Sequence, residues 1–392
     1  SDIAFDPIEF GVPPNVAPAI DTSQLLALIV AKQVLNDVSN DQIQQLDLSK
    51  TSVILGTSVL EAIQYLSARI QRPIWAKALY EIGLSENLVN EACDRIANSY
   101  PKWQEDSFPG LLSNVVAGRI ANRFNCGGSN FTTDAACASS LAAVLAAVNE
   151  LQLERADMTI TGGVDTLNDL LMYKCFNVVT ALSPSGKCSP FSDKADGTLL
   201  GEGIGLFALK RLPDAEANHD HIYGVIRGIG TSSDGRATSI YAPVSKAQSR
   251  AVLNAYEEAG YPINTVELIE AHGTGTIAGD LAEYNGLLLA FQAAEEPRAQ
   301  QCALGSVKSQ IGHTKSAAGS AGMLKALFSL IHKTLPPTLH VDKANPKFHS
   351  PSSPLYLNTE PRPWIRNQKH PRRAGVSCFG FGGSNFHMTL EE

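Results

Sequence analysis

A chain of 392 residues, 44% hydrophobic and 18% charged, is a globular protein too long for one ordinary core, which implies two domains or two fused halves. A net charge of −8 and a pI near 5.6 argue against nucleic acid or an anionic membrane as the main partner. Seven scattered cysteines without a C-x-x-C pair fit a reducing cytoplasm with neither a disulfide framework nor a zinc site, and no apolar run reaches the ~18 residues of a membrane span.

Phe5 to Ile20, with Pro7, Pro13, Pro14 and Pro18, reads as an extended loop. Asp21 then caps a largely buried helix carrying Leu25, Leu28, Ile29 and Leu35. Val53-Ile54-Leu55-Gly56 is a short strand. From Leu60 to Tyr100 helical periods alternate with turns, with Ser85 placed as a cap, and Asn114 to Phe124 reads as a further helix. Asn130-Phe131-Thr132-Thr133 has the composition of a strand end, and Leu141 to Val148 that of a buried helix. Cys137 therefore lies in a strand-to-helix turn among small residues. Met158 to Thr161 is a strand closing on Gly162-Gly163, Ser183 to Gly205 is a long turn-rich loop, and Ile204 to Leu209 is again a strand.

The pattern then repeats. Tyr223 to Gly230, Val266 to Glu270, Ala303 to Val307 and Gly375 to Phe379 read as strands. Ser245 to Ala259, Ala282 to Phe291 and Gly319 to His332 read as helices. Alternation of this kind implies mostly parallel sheets covered on both faces. Two halves, residues 1–217 and 218–392, joined near Pro213 to Asp220, make a doubled α/β architecture.

Four stretches speak for chemistry. In Thr133-Asp134-Ala135-Ala136-Cys137-Ala138-Ser139-Ser140-Leu141 the cysteine sits at the start of a helix, where free N–H groups and the dipole favour a thiolate against a reference pKa of about 8.5. Taken alone, a cysteine in such an apolar segment is more often a buried structural one. Glu270-Ala271-His272-Gly273-Thr274-Gly275-Thr276 places a histidine at the end of a strand, followed by a Gly/Thr loop that lacks the G-x-x-x-x-G-K-[ST] spacing of an ATP site. Val307-Lys308-Ser309-Gln310-Ile311-Gly312-His313 repeats the arrangement, and Lys308 alone would be a surface lysine. Phe379-Gly380-Phe381-Gly382-Gly383-Ser384-Asn385 alone would be a tight turn packed by two phenylalanines.

Together and in this order, these stretches resemble the motifs of the β-ketoacyl synthases, and the resemblance runs from about Phe5 to Glu392. Gln310, the opening Phe5 to Pro14 and Thr359-Glu360-Pro361-Arg362-Pro363-Trp364 most resemble ketosynthase domains of polyunsaturated fatty acid synthases and iterative type I polyketide synthases. The resemblance implies a thiolase-like fold: two pseudo-symmetric halves with five-stranded mixed sheets in a layered αβαβα arrangement. Members usually begin with an Ile-Ala-Ile-Val-Gly strand and a helix. Neither precedes Ser1, so the first half is expected to be short of an element and the chain to be a domain cut from a megasynthase.

The implied reaction is a decarboxylative Claisen condensation. Cys137 would take an acyl group from an acyl carrier protein, and a malonyl carrier protein would then extend it. Substrates ride on the carrier's phosphopantetheine; the domain itself is expected to bind neither cofactor nor metal. The backbone N–H groups of Cys137 and Phe381 would hold the oxyanion, and His272 and His313 would donate Nε2–H groups to the enolate. Thr274, Thr276 and Phe379 would meet the phosphopantetheine arm. Lys308 would order the site by pairing with Glu283, and Phe381 would gate the acyl pocket. Lys369, Arg372 and Arg373 are candidates for docking the acidic carrier. A homodimer is expected, with the strand before Cys137 near its two-fold axis.

Competing classes are less well served. A non-catalytic chain-length factor of the same fold typically lacks the cysteine. A thiolase needs a second catalytic cysteine near its C-terminus, and only Cys378 is available, where a structural role is expected. A Cys/His hydrolase finds no supporting signature.

Overall fold

The computed structural model describes residues 3–58, 69–294, 298–348 and 350–392. Strands β1 (Thr51–Gly56), β2 (Asn130–Thr133), β3 (Met158–Asp165) and β4 (Gly203–Leu209) form one sheet in the order β2-β1-β3-β4. The second sheet takes β5 (Val225–Ser233), β6 (Leu268–Glu270) and β7 (Cys302–Gly305) from the first part of the other half. After β8 (Thr334–Leu335) it gains β9 (Leu355–Leu357), and after β10 (Arg362–Pro363) it gains β11 (Arg373–Gly380) and β12 (Ser384–Glu391). Its order is β5-β12-β11-β6-β7-β9, while β8 and β10 make a separate ribbon.

The halves share one wiring. In the first, β1 runs parallel to both β2 and β3, and β4 is antiparallel to β3. In the second, β6 runs parallel to both β7 and β11, and β12 is antiparallel to β11. β5 and β9 then extend the two edges of the second sheet. Among the described residues the sheets thus have four and six strands, where five in each were expected; the doubled, layered mixed architecture is the expected one.

Helix burial follows from which layers each helix touches. Helices α1 (Thr22–Ser39) and α2 (Val115–Phe124) cover the outer face of the first sheet, and their Ala27, Leu28, Leu35, Val116 and Ile120 enter its core. Asp21 caps α1 as expected, accepting from the Ser23 N–H at 2.9 Å. Helices α3 (Ser139–Gln152) and α6 (Ala318–His332) lie between the sheets, with α4 (Ser245–Ala259) and α5 (Ile277–Gln292) on the far side of the second. A helix flanked by two sheets must be apolar nearly all round, which explains Leu141, Ala143, Val144 and Ala147 on α3. Each large apolar side chain of this kind contributes about 1.5–3 kcal/mol by burial.

Several elements depart from the expected boundaries. β3 does not stop at Gly162-Gly163, because both glycines pair with β4 and the strand continues to Asp165. α5 starts a turn early, at Ile277. Ser85 stands at a helix N-cap, but its side chain accepts no hydrogen bond there. The first residues of the helical stretch expected from Leu60 lie outside the described residues. The helix Leu170–Val178 and strand β12 were not anticipated. β12 alternates apolar Phe386, Met388 and Leu390 with polar Asn385, His387 and Thr389, a period-2 signal legible in the sequence, and the polar face is buried as well.

The central helices meet through small residues. A Cβ on Gly319 would stand 2.6 Å from Ser140 Oγ, and the Ser320 N–H donates to that oxygen at 3.1 Å. The turn before α3 is equally close to β11, since a Cβ on Gly380 would stand 2.0 Å from the carbonyl oxygen of Ala135. That is far inside van der Waals contact, with rigid backbone on the other side. Gly380→Ala is expected to destabilise the protein by about 1–3 kcal/mol through overpacking. A lower urea midpoint at an unchanged m-value would show it, and an unchanged midpoint would contradict the tight contact.

Candidate active site

Each half sends its strand ends to one cavity. Cys137 lies in a 3-10 turn, Ala136–Ala138, between β2 and α3, with Ala136 at φ +50°. Ser139 ties this turn together: its hydroxyl accepts from the Ala135 N–H at 2.9 Å and donates to the Ala136 carbonyl at 2.6 Å. His272 follows β6, and His313 follows the short helix Lys308–Ile311 after β7. Cys137, His272, His313, Thr274, Thr276, Phe379 and Phe381 line a cavity of about 370 Å³. A larger cavity of about 530 Å³ along β4 and α6 holds none of these residues, so volume alone does not mark the site.

The imidazoles are held from behind. Their ring centroids are 5.4 Å apart, nearly perpendicular at 85°. His272 Nδ1 accepts from the Phe379 N–H at 3.3 Å, and His313 Nδ1 accepts from the Lys315 N–H at 3.1 Å. An accepting Nδ1 carries a lone pair, so in the neutral ring the proton sits on Nε2. Burial, reinforced by the positive charge of Lys308, holds both histidines well below the usual imidazole range. Both are therefore neutral Nε2–H donors at physiological pH.

Cys137 differs from the sequence-based expectation of a low-pKa thiolate. Burial pushes the Cys137 thiol up to about 11, against the opposing pull of Lys308 and Lys315. Cys137 is 7% exposed, and α3 proper begins only at Ser139, so desolvation outweighs the helix end. The resting side chain is a thiol.

Lys308 does not pair with Glu283. Among the described residues no carboxylate oxygen lies within 4.0 Å of the buried Lys308 ammonium. The Glu283 carboxylate instead accepts from the N–H groups of His272 and Gly273, both at 2.7 Å. Burial pushes its carboxyl up to about 7. One turn earlier on α5, Asp280 accepts from the Gly275 N–H at 3.0 Å and the Phe191 N–H at 2.7 Å. These two side chains fix the Gly/Thr loop, in which the Thr274 and Thr276 hydroxyls meet at 2.8 Å.

Phe381 is half-exposed in the β11–β12 turn, beside Gly382 at φ +94° and Gly383 at φ +81°. Its ring stacks on Phe176 at 6.4 Å and leans on Tyr241 at 6.2 Å. Cys378 is fully buried, pushed up to about 12, and donates to the Cys137 carbonyl at 2.9 Å. That is a structural contact and leaves no second nucleophile of the thiolase kind.

The expected docking patch fails at two of its three positions. Arg372 is buried, with Nε donating to the Trp364 carbonyl at 2.7 Å and Nη1 to both Glu392 oxygens at 2.8 Å. Arg373 binds Glu391 and Thr265, each at 2.8 Å, and lies 3.7 Å over the Tyr261 ring. Both charges are consumed in closing the ends of β11 and β12. Lys369 alone of the three is exposed.

Sequence reasoning missed Asp165, Lys315, Asp280, Phe176 and Tyr241. Asp165 had a signal, a lone charge at the end of a parallel strand, and Asp280 had one in its i, i+3 spacing to Glu283. Phe176 and Tyr241 reach the cavity from loops and a surface helix and had none.

Comparison with known proteins agrees with this geometry. The profile for the beta-ketoacyl synthase N-terminal domain matches residues 2–215, and that for the C-terminal domain matches residues 223–342. The chain is 40% identical to a polyunsaturated fatty acid synthase polypeptide of Thraustochytrium sp. and 38% identical to the polyketide synthase PksN of Bacillus subtilis, over 99% of its length in both cases. It spans only 14% and 7% of those proteins. The solved ketosynthase from module 6 of the bacillaene synthase of Bacillus subtilis 168 superposes with a TM-score of 0.83 at 35% identity, over 99% of this chain and 62% of that one. Fold and comparisons define a condensing, acyl-transferring enzyme. The chain belongs to the β-ketoacyl synthase family, among relatives from polyketide and polyunsaturated fatty acid synthases.

A resting thiol has a measurable consequence. With the folded-state value raised, the thiolate fraction of Cys137 grows as pH rises toward about 11. Iodoacetamide labelling of Cys137, followed by peptide mass spectrometry, should therefore accelerate about tenfold per pH unit from about pH 7 to 9.5. A plateau below about pH 8 would contradict the buried thiol.

Proposed function

We propose that this domain joins an acyl group held on Cys137 to a malonyl group on an acyl carrier protein, with loss of carbon dioxide. The observation that carries the reading is the pair of backbone-locked, neutral imidazoles beside a buried cysteine in one cavity.

In the first half-reaction Cys137 Sγ attacks the thioester carbonyl of the acyl carrier. The oxyanion is held by the backbone N–H groups of Cys137 and Phe381. A Cys137 thioester forms, and the thiol proton leaves with the departing phosphopantetheine thiol. Lys308 and Lys315 favour the developing thiolate. In the second, the malonyl C–C bond breaks, carbon dioxide departs, and the electron pair passes to the enolate. His272 and His313 donate Nε2–H bonds to the enolate oxygen. The enolate carbon then attacks the Cys137 thioester, and the cysteine leaves and takes up a proton. Neutral donors suit this step, since they stabilise the enolate without handing it a proton that would end the condensation.

Thr274 and Thr276 hold the phosphopantetheine arm, with Phe379 against it. Phe381 swings on its glycine neighbours to admit the acyl chain, and Phe176 and Tyr241 are the surfaces it leaves. Lys308 and Glu283 are supporting groups that act through the field of the site and the His272 loop. The domain works as a homodimer in the cytoplasm, beside neighbouring domains of a type I megasynthase, and needs no cofactor of its own. Supporting the dimer, β2 is an open sheet edge among the described residues, with Asn130 and Phe131 exposed. The helix Leu170–Val178 likewise buries none of its apolar residues. Among the described residues no helix is long and apolar enough to cross a membrane.

Intact-mass analysis tests the proposal. The wild-type chain should gain one acyl group from acyl thioesters and lose it to malonyl carrier protein with release of the β-ketoacyl product. Cys137→Ala should gain none. His313→Ala should still acylate but decarboxylate about 10²–10³-fold more slowly, as when one oxyanion donor is lost. Acylation of Cys137→Ala at the wild-type level would overturn the assignment.

A further inference from the structure

His313 belongs to the second half, yet what holds it comes from the first. Its N–H donates to the Leu199 carbonyl at 2.7 Å, and its own carbonyl accepts from the Gly201 N–H at 3.0 Å. Two residues on, Lys315 adopts φ +49°, a left-handed conformation that a lysine reaches only under constraint. The Lys315 N–H donates to His313 Nδ1 at 3.1 Å.

The constraint is a buried ion pair that crosses between the halves. Asp165 closes β3, and its Oδ1 lies 3.0 Å from Lys315 Nζ, with side chains only 3% and 6% exposed. Its other oxygen accepts from the Ser316 N–H at 3.1 Å and the Ser316 hydroxyl at 2.8 Å. Lys315 Nζ also donates to the Gly201 carbonyl at 2.7 Å, which ties the pair to the loop that straps His313. Lys315 is thus gripped at its ammonium, and the next residue at its backbone and hydroxyl, all by groups of the first half. A buried pair of this kind contributes little net stability over an apolar replacement, whereas breaking it leaves an unpaired charge. Its value here lies in geometry.

We propose that Asp165 and Lys315 are positioning residues that fix His313 as its Nε2–H tautomer, and that Asp165 thereby serves the decarboxylation half-reaction and not the acylation of Cys137. The catalytic consequence rests on the reading of His313 as an enolate donor; the tautomer itself does not. With Asp165 replaced, the Lys315 backbone is released, Nδ1 loses its fixed donor, and both tautomers become populated. Acylation is spared when Asp165 is replaced because the Cys137 turn is tied by Ser139 and Asp134, and Lys308 and Lys315, which favour the thiolate, keep their charges.

The test uses the 392-residue chain labelled with ¹⁵N-histidine, with His313 assigned through His313→Ala. The wild type should show a protonated Nε2 and a bare Nδ1 at His313, and Asp165→Asn should show a mixture. Asp165→Asn should acylate Cys137 within about threefold of wild type while kcat for malonyl decarboxylation falls ~10- to 100-fold at a similar KM, less than the loss of a whole oxyanion donor. Ser316→Ala removes the hydroxyl bond to Asp165 while keeping the charges of Asp165 and Lys315, and should give the same split in milder form, which provides a second reading if Asp165→Asn folds poorly. Unchanged tautomers in folded variants, or acylation and decarboxylation falling together, would overturn the proposal. Tautomer loss in a protein whose wild type never decarboxylates malonyl carrier protein would uphold the positioning role and refute the condensing reaction.

Discussion

The structure depends on how closely two buried helices cross. α3 and α6 lie between the sheets and meet at Ser140, Gly319 and Ser320, where no larger side chain fits. The turns that begin them carry Cys137 on one side and the His313–Lys315 segment on the other. A bulkier contact would push those turns apart by more than the tolerance of a catalytic constellation, in which an ångström already matters. The small residues around Cys137 are therefore a packing requirement first, and the accessible sulfur is a by-product of the same crossing.

Polar groups in the interior follow from this arrangement. Strand ends from both halves converge where water is excluded, so their charges and amides must satisfy one another. Glu283 and Asp280 take up the amides of the His272 loop, while Asp165 takes up Lys315 and Ser316. Lys308, with no close carboxylate among the described residues, spreads its charge over the cysteine and both histidines. The same burial that raises the Cys137 thiol lowers the imidazoles. One desolvated cavity thus keeps all three groups neutral at rest, while Lys308 and Lys315 favour negative charge on the sulfur.

Much of this could be read from the chain. The doubled α/β architecture followed from strands and helices recurring with a common period, and α3 and α6 announced themselves as runs of apolar residues without a polar face. Cys137, His272 and His313 stood at strand ends, where α/β folds place their chemistry, and four motifs in order carried more information than any one alone. Other expectations gave way for physical reasons. The helix-end argument for a thiolate ignored desolvation, which grows with every layer packed around the sulfur. Arg372 and Arg373 looked like a free basic run, but two sheet ends and Trp364 enclose them.

Sequence by itself determined which segments are apolar with which period, where the turns fall, and which reactive side chains stand at strand ends, because these are local properties. Only the tertiary structure decided which charges meet. The Asp165–Lys315 pair joins residues 150 positions apart, and Glu283 chose backbone amides over Lys308. Electrostatic partnership and desolvation depend on distances in the folded interior, and separation along the chain does not encode them.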